Sequence, residues 1–594
     1  MAASRNFAYR AALAVAASLA TALALPRAQA QIIRSPRTAD SADSTVPDTM
    51  RRPIEQARRI QAAFEQFRRA HLPAFRGGKP GVCDEQVGRF CYWYDERATA
   101  PPEQPEVTEH RRQLLASLDS LARLVPRDDW ILGQRVRYYV EEGKPASALT
   151  AAKSCTTGTW WCDVLAGYSL HSLGEYEQAD SVYSGAIAKM MPREQCDWRD
   201  LSLLLDPEAL QQYRRLPCGS QQRRDYEDRT WWYARTLYMM HGNDSRTEHF
   251  ARVTLALLLR DAATPHQFGF DDDERELMLR FGPSIAWMRG SSSDPRKRSF
   301  DIISHEPVPA YRYIPANFVL NNPATSDSAD WRLQLPPVIA RYAPPYAKVV
   351  RPLEHQKAMF RRGDSALVVL AYDTKAFPEF SGTQVQAQLT VSPGDVPRTF
   401  ASLRSSQPAG IVTAKAPWGP LIMSAEVAAP ARDAVARARY GIQPPYAVGA
   451  RVSLSDLLFY KPYGTFPSTA DEAIPHALPT ERVAASEKLG VFWEAYDTDP
   501  NGERMLITLR VAPEDEGEPS GGFLRRAIGL GGKGIVPVTV SVQDMSALGK
   551  PLSPRALEVD ISTLPKGAYV VHLEIEVAGQ YVIRADHRIE IVGP

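Results

Sequence analysis

The spacing of apolar residues changes character partway along the chain, and that change limits the folds open to it. Over residues 53 to about 263, apolar side chains recur three and four positions apart, as on one face of a helix. Ile54, Ala57, Ile60, Phe64 and Phe67 form one such stripe, with Arg58, Arg59, Arg68 and Arg69 off it. Glu55, Gln61 and Glu65 are interspersed among the arginines, which favours a helix docked on a soluble domain over one lying on a membrane surface. From residue 345 onward, short apolar runs are separated by Pro- and Gly-rich turns, the pattern of antiparallel β-sandwiches. Residues 366–372 read as a buried strand, and 384–391 alternate cleanly. Residues 489–496, 505–511, 536–542 and 569–577 read as strands of a second unit. A Pro- and Ala-rich loop, 461–480, is inserted before its core strands.

The 594 residues exceed what one core can hold, and about four domains is the expectation. The first thirty carry the parts of a secretion signal: Arg5 and Arg10, an apolar run over 11–25, Pro26, and small residues Ala28 and Ala30 for cleavage. The run is short for a membrane anchor, and no later segment is apolar for long enough to span a bilayer. The mature chain is expected to begin near Gln31 and to work outside the cytoplasm, in the periplasm, at the cell surface or secreted. Cys83, Cys91, Cys155, Cys162, Cys196 and Cys218 fit that compartment, being even in number and confined to one stretch. Proximity pairs them as neighbours in sequence, although six cysteines allow about 15 connectivities. Zinc is disfavoured because no pair has close C-x₂-C spacing with a histidine near. Lys and Arg number 70 against 69 Asp and Glu, a balance that argues against a nucleic-acid partner.

Two helical segments resemble tetratricopeptide repeats, whose units bury their faces only against neighbours. In the clearer one, residues 161–192, Gly167 allows close helix approach, Gly174, Glu175 and Tyr176 make the turn, and Ala179, Tyr183 and Ala186 follow at helical spacing. Residues 130–155 repeat the theme with Gly133, Gly143 and Ala148, and 231–259 form a third, degenerate pair. Downstream, Gly269, Phe270, Asp272 and Asp273, then Phe281, Gly282 and Pro283, resemble the GWxTD domain of exported bacterial proteins. Here Phe270 replaces the Trp, Asp272 the Thr, and Glu274-Arg275 the usual Arg-Gly. Trp231, Trp232 and Gly242 to Asp244 fit the family's lead-in, and residues 452–458 and 491–496 its later pattern. The resemblance implies no reaction. Read physically, residues 271–274 are an acidic turn leading into a short strand, 276–281, stopped by Gly282-Pro283.

The expected architecture is therefore multidomain α + β. A signal peptide (1–30) and leader (31–52) precede a disulfide-containing, tetratricopeptide-like helical domain (53–265). A small mixed GWxTD-like domain (266–344) and two antiparallel β-sandwiches (345–447 and 448–594) follow. No motif supplies a catalytic, cofactor or metal site. Asp497, Asp499, Asn501 and Gly502 match the opening of a calcium loop, but Thr508 stands where the bidentate Glu belongs, and a hairpin turn explains the same residues. Gly529, Gly531 and Gly534 satisfy G-x-G-x-x-G without a βαβ unit around them. Trp160, Trp161, Trp231 and Trp232 read as core aromatics rather than a ligand shelf. Gly269, Asp272 and Asp273 are the candidate site, read as a structural turn. The expected function is a non-enzymatic scaffold that binds a protein or peptide. The alternative is an envelope hydrolase or glycan-processing enzyme gathering Asp272, Asp273, His249 and His305 in one cleft.

Overall fold

The computed structural model describes residues 48–75, 83–267, 269–290, 301–333, 338–394, 398–445, 451–485, 488–514, 535–577 and 582–593. The expected signal peptide, most of the leader and the run containing Gly529, Gly531 and Gly534 lie outside those residues. The protein is mixed, with helices in its N-terminal part and sheets in its C-terminal part.

Helix α1 (Asp48–Ala70) starts ahead of Pro53, inside what reads as leader. Ala57 and Phe64 are buried, and Ile54, Ile60 and Phe67 pack around them, against α2 (Pro105–Leu124) and α3 (Asp129–Glu141). Protein thus covers the stripe that a membrane-surface helix would need exposed. Three of the polar residues along α1, Gln61, Glu65 and Arg68, are also buried. Glu65 accepts hydrogen bonds from Tyr138 Oη and from Arg137 Nη2, the latter at 3.0 Å, and Arg68 pairs with Glu141 at 2.7 Å. A buried charge is tolerated only when paired and hydrogen-bonded in this way.

The helix α3 turns back through α4 (Pro145–Lys153), and α5 (Trp160–Ser172) through α6 (Tyr176–Ala188), giving two successive helical hairpins. Gly167 lets them close: a Cβ there would stand 2.9 Å from the Tyr183 ring. Ala179 and Ala186 are fully buried behind it. After α7 (Pro192–Arg199), α8 (Pro207–Tyr213) and α9 (Gln221–Ala234), helix α10 (Asp244–Arg260) returns and joins the core of the hairpins through Phe250, Val253 and Leu257. Three disulfides, Cys83–Cys91, Cys155–Cys162 and Cys196–Cys218, fit an extracellular protein, and no cysteine is free. Among the described residues, no helix is long and apolar enough to cross a membrane.

The acidic segment departs from the strand expected of it. Residues Asp272–Phe281 form helix α11. Asp271 caps it, its Oδ1 accepting the Asp273 and Glu274 N–H groups, while Glu274 accepts the Asp271 N–H at 2.9 Å. That reciprocal capping box is a helix start. Gly282, at φ +101°, is its C-cap rather than the end of a strand. Short strand pairs follow, Ala286–Gly290 with Asp301–His305 and Tyr311–Arg312 with Arg341–Tyr342.

In the C-terminal part a five-stranded sheet (Phe400–Ala401, Gln386–Pro393, Leu421–Ala429, Ala434–Ile442, Val349–Pro352) shares one core with a three-stranded sheet (Ala409–Pro417, Ser365–Asp373, Glu354–Arg362). A second pair of sheets repeats the plan. Lys488–Tyr496 is central to one, between Leu552–Asp560 and the short strands Ser453–Leu454 and Leu458–Tyr460. The other runs Arg482–Ala484, Ile583–Val592, Gly567–Val577, Arg504–Pro513, Val538–Met545. Pairing is not wholly antiparallel. Val349–Pro352 beside Ala434–Ile442, and Arg482–Ala484 beside Ile583–Val592, run parallel, each a short strand arriving at a sheet edge from outside the meander. Residues 461–480 are more than a connecting loop. The short helix Ala470–Ala473 packs between the sheets with Phe360, Val369 and Phe492.

Candidate functional site

Asp273 sits in the first turn of α11, facing the disulfide-stapled hairpin of Glu85–Val87 and Phe90–Tyr92. Its Oδ2 accepts the backbone N–H of Arg89 at 3.0 Å, and its carboxylate lies against Gly88, where a Cβ would come within about 2.0 Å. Gly88 has φ +53°, so both conformation and space require glycine. Arg89 answers with ion pairs to Asp271 at 2.7 Å and Glu274 at 3.4 Å. Burial raises the Glu274 carboxyl to about 7, opposed by the Asp271 N–H it accepts and by Arg89, with the Asp271 carboxylate adding to the shift. Asp272 is exposed, and Gly269 is exposed with nothing near its α-carbon to exclude a side chain.

The four residues of the hydrolase reading are not joined. Among the described residues, no hydrogen bond or ion pair links any two of Asp272, Asp273, His249 and His305, and no group of three or more His, Cys, Asp or Glu is placed to hold a metal. His249 is buried beside Trp231 and Phe250, and burial, aided by Arg252 and Arg275, lowers its imidazole to about 3. His305 gives its Nδ1–H to the Glu306 carbonyl at 2.7 Å. Trp160, Trp161, Trp231 and Trp232 are buried within the cores. In the loop that resembles a calcium site, Asp499 accepts the Asn501 N–H at 2.9 Å and Asp497 pairs with Arg361 at 2.7 Å. Gly502 there has φ +91°, and its N–H bonds to the Asp499 carbonyl at 3.0 Å, as in a turn.

A dense polar cluster lies where α9 and its following segment meet the five-stranded sheet. Glu426 and Arg439 pair at 3.0 Å with almost no solvent exposure. Glu426 also accepts the N–H groups of Tyr238 and Met239, each at 2.8 Å. Arg439 donates to the carbonyls of Tyr233, Arg235 and Thr236. Beside them is a cavity of about 30 Å³ between α9, residues 311–315, residues 330–333 and the sheet. It has room for a water or one small group rather than a sugar ring. Nothing in the motif search pointed here. The available signal was Arg437 and Arg439 alternating with Ala436 and Ala438, one face charged in a strand whose other face is core.

No protein-family model matches the chain, and no curated protein sequence matches it. Among solved structures, the crystal structure of red sea bream transglutaminase is similar at 11% identity over 41% of this chain and 32% of that one, with a TM-score of 0.14. A calcium-binding mutant of Bacteroides uniformis beta-glucuronidase 2 is similar at 8% identity over 51% of this chain and 31% of that one, with a TM-score of 0.15. The chain thus spans about a third of the length of either, and likeness at this level carries no functional meaning.

Proposed function

We propose that this is an exported, non-enzymatic interaction protein of the bacterial envelope, periplasmic or at the surface. In this reading a tetratricopeptide-like and GWxTD-like scaffold carries two β-sandwiches, and the partner is a protein or peptide bound as an extended strand. The observation that carries it is the sheet edge Val538–Met545. That strand pairs with Arg504–Pro513 on one side and, among the described residues, with no strand on the other. It contains neither Lys nor Pro, the residues that ordinarily protect an edge. Val542 and Met545 on it, and Val536 and Leu548 flanking it, are 38%, 48%, 80% and 74% exposed. An unpaired edge with apolar side chains is the setting for strand addition, in which main-chain hydrogen bonds supply affinity and alternate side chains supply choice.

Selection from a displayed random-peptide library tests this reading. Peptides with alternating apolar residues should be enriched on the wild type and lost on the double variant Val542→Lys, Met545→Lys, whose melting temperature should be unchanged. Equal enrichment on both proteins would refute the edge as the binding surface.

A further inference from the structure

The cavity at the helix–sheet seam is lined by Arg235, Arg312, Arg332, Arg437 and Arg439, against the single carboxylate of Asp330. Arg439 is neutralised by Glu426. Arg437 is not. Its Nη1 and Nη2 donate to the carbonyls of Thr236 at 2.9 Å and Trp331 at 3.0 Å, and among the described residues no carboxylate forms an ion pair with it. Arg312 is in the same position: its Nε–H goes to the Ile314 carbonyl at 2.9 Å, and no carboxylate pairs with it. Desolvation, then the neighbouring Arg439, lowers the Arg437 guanidinium to about 9 against the opposing pull of Glu426, which leaves it charged at neutral pH.

Arg437 and Arg312 are partly buried, and the carboxylates that act on them, Glu426 and Asp206, do so without a direct ion pair, an arrangement that a bound anion would complete. Carbonyl dipoles hold two of the Arg437 nitrogens, but each terminal nitrogen carries a second N–H, and the planar fork suits a carboxylate or similar oxyanion. We propose that this cavity is a binding site for one small oxyanion group, carboxylate-sized, held by Arg437 and Arg312. Its volume of about 30 Å³ excludes a sugar or nucleotide, whose pockets run to roughly 300 Å³ or more. The group could belong to a free anion or to the end of a peptide chain, because both present the same oxygens.

Titration of the purified protein with ¹³C-acetate, followed by NMR at constant ionic strength set with chloride, tests the site. Wild type should bind acetate saturably, and Arg437→Gln should weaken it about tenfold or more. Competition by N-acetylalanine but not by N-acetylalaninamide would assign the site to chain-end carboxylates. Failure of both to compete, with acetate bound, would assign it to free anions. Should Arg437→Gln not fold, Arg312→Gln carries the same expectation at a half-buried position. Absence of saturable binding to wild type, or undiminished binding in a folded variant, would overturn the proposal.

Discussion

The Asp273 carboxylate accepts the backbone N–H of Arg89 at 3.0 Å, a contact between residues 184 positions apart in sequence. It fastens a disulfide-stapled hairpin to the start of α11, and it explains why the acidic segment carries a carboxylate at this position. Asp273→Asn keeps an acceptor oxygen but loses the charge, and should cost about 1–2 kcal/mol in thermal or urea unfolding. Peptide binding at the sheet edge Val538–Met545 should survive. Unchanged stability with abolished binding would identify Asp273 as part of a working site instead.

Glu274 makes that junction sensitive to pH. Its carboxyl, raised to about 7 by burial, holds its proton in the folded state across a range where the unfolded chain has released it. Its contribution to stability is therefore complete below about pH 4.5 and is lost as pH rises toward 7. Glu274→Gln cannot titrate. The melting temperature of the variant minus that of the wild type should climb across this window, and a flat difference would refute the assignment.

The Glu426–Arg439 pair should behave as a unit. Glu426→Gln leaves the Arg439 guanidinium buried without its counter-charge and should destabilise by about 3–5 kcal/mol. Arg439→Met alone should also be costly. The double variant should fall short of the sum, giving a coupling energy of about 1–3 kcal/mol in a urea-unfolding cycle. Additive effects would mean that the two residues act independently.

The disulfides differ in the chain they close. Cys196–Cys218 spans 22 positions and Cys155–Cys162 spans 7. On loop entropy alone, replacing both cysteines of the longer by Ala should cost about 3.4 kcal/mol, against about 2.4 for the shorter. Equilibrium unfolding of the two double variants measures the difference, and the reverse order would point to packing around the sulfurs as the larger effect.

Apolar spacing located the first helix, the two helical hairpins and several of the sandwich strands. The hairpins α3–α4 and α5–α6 are legible because each helix buries a periodic face, and the strands Ser365–Asp373 and Lys488–Tyr496 because unbroken apolar runs are buried on both faces; both signals are local. They also distinguished the helical part from the sheet-rich part. The segment at 276–281 misled because Leu277, Leu279 and Phe281 alternate like a strand, while the stronger local signal, Asp271 and Glu274 spaced as a capping box, marks a helix start. What only tertiary structure decided is the pairing of charges across distance. Glu65 and Arg137, Asp273 and the Arg89 N–H, and Glu426 and Arg439 each join elements that no local period connects. Apolar burial is non-directional and leaves a repeating trace in sequence, whereas an ion pair or hydrogen bond depends on atoms meeting within about 3 Å, a distance only the folded chain sets.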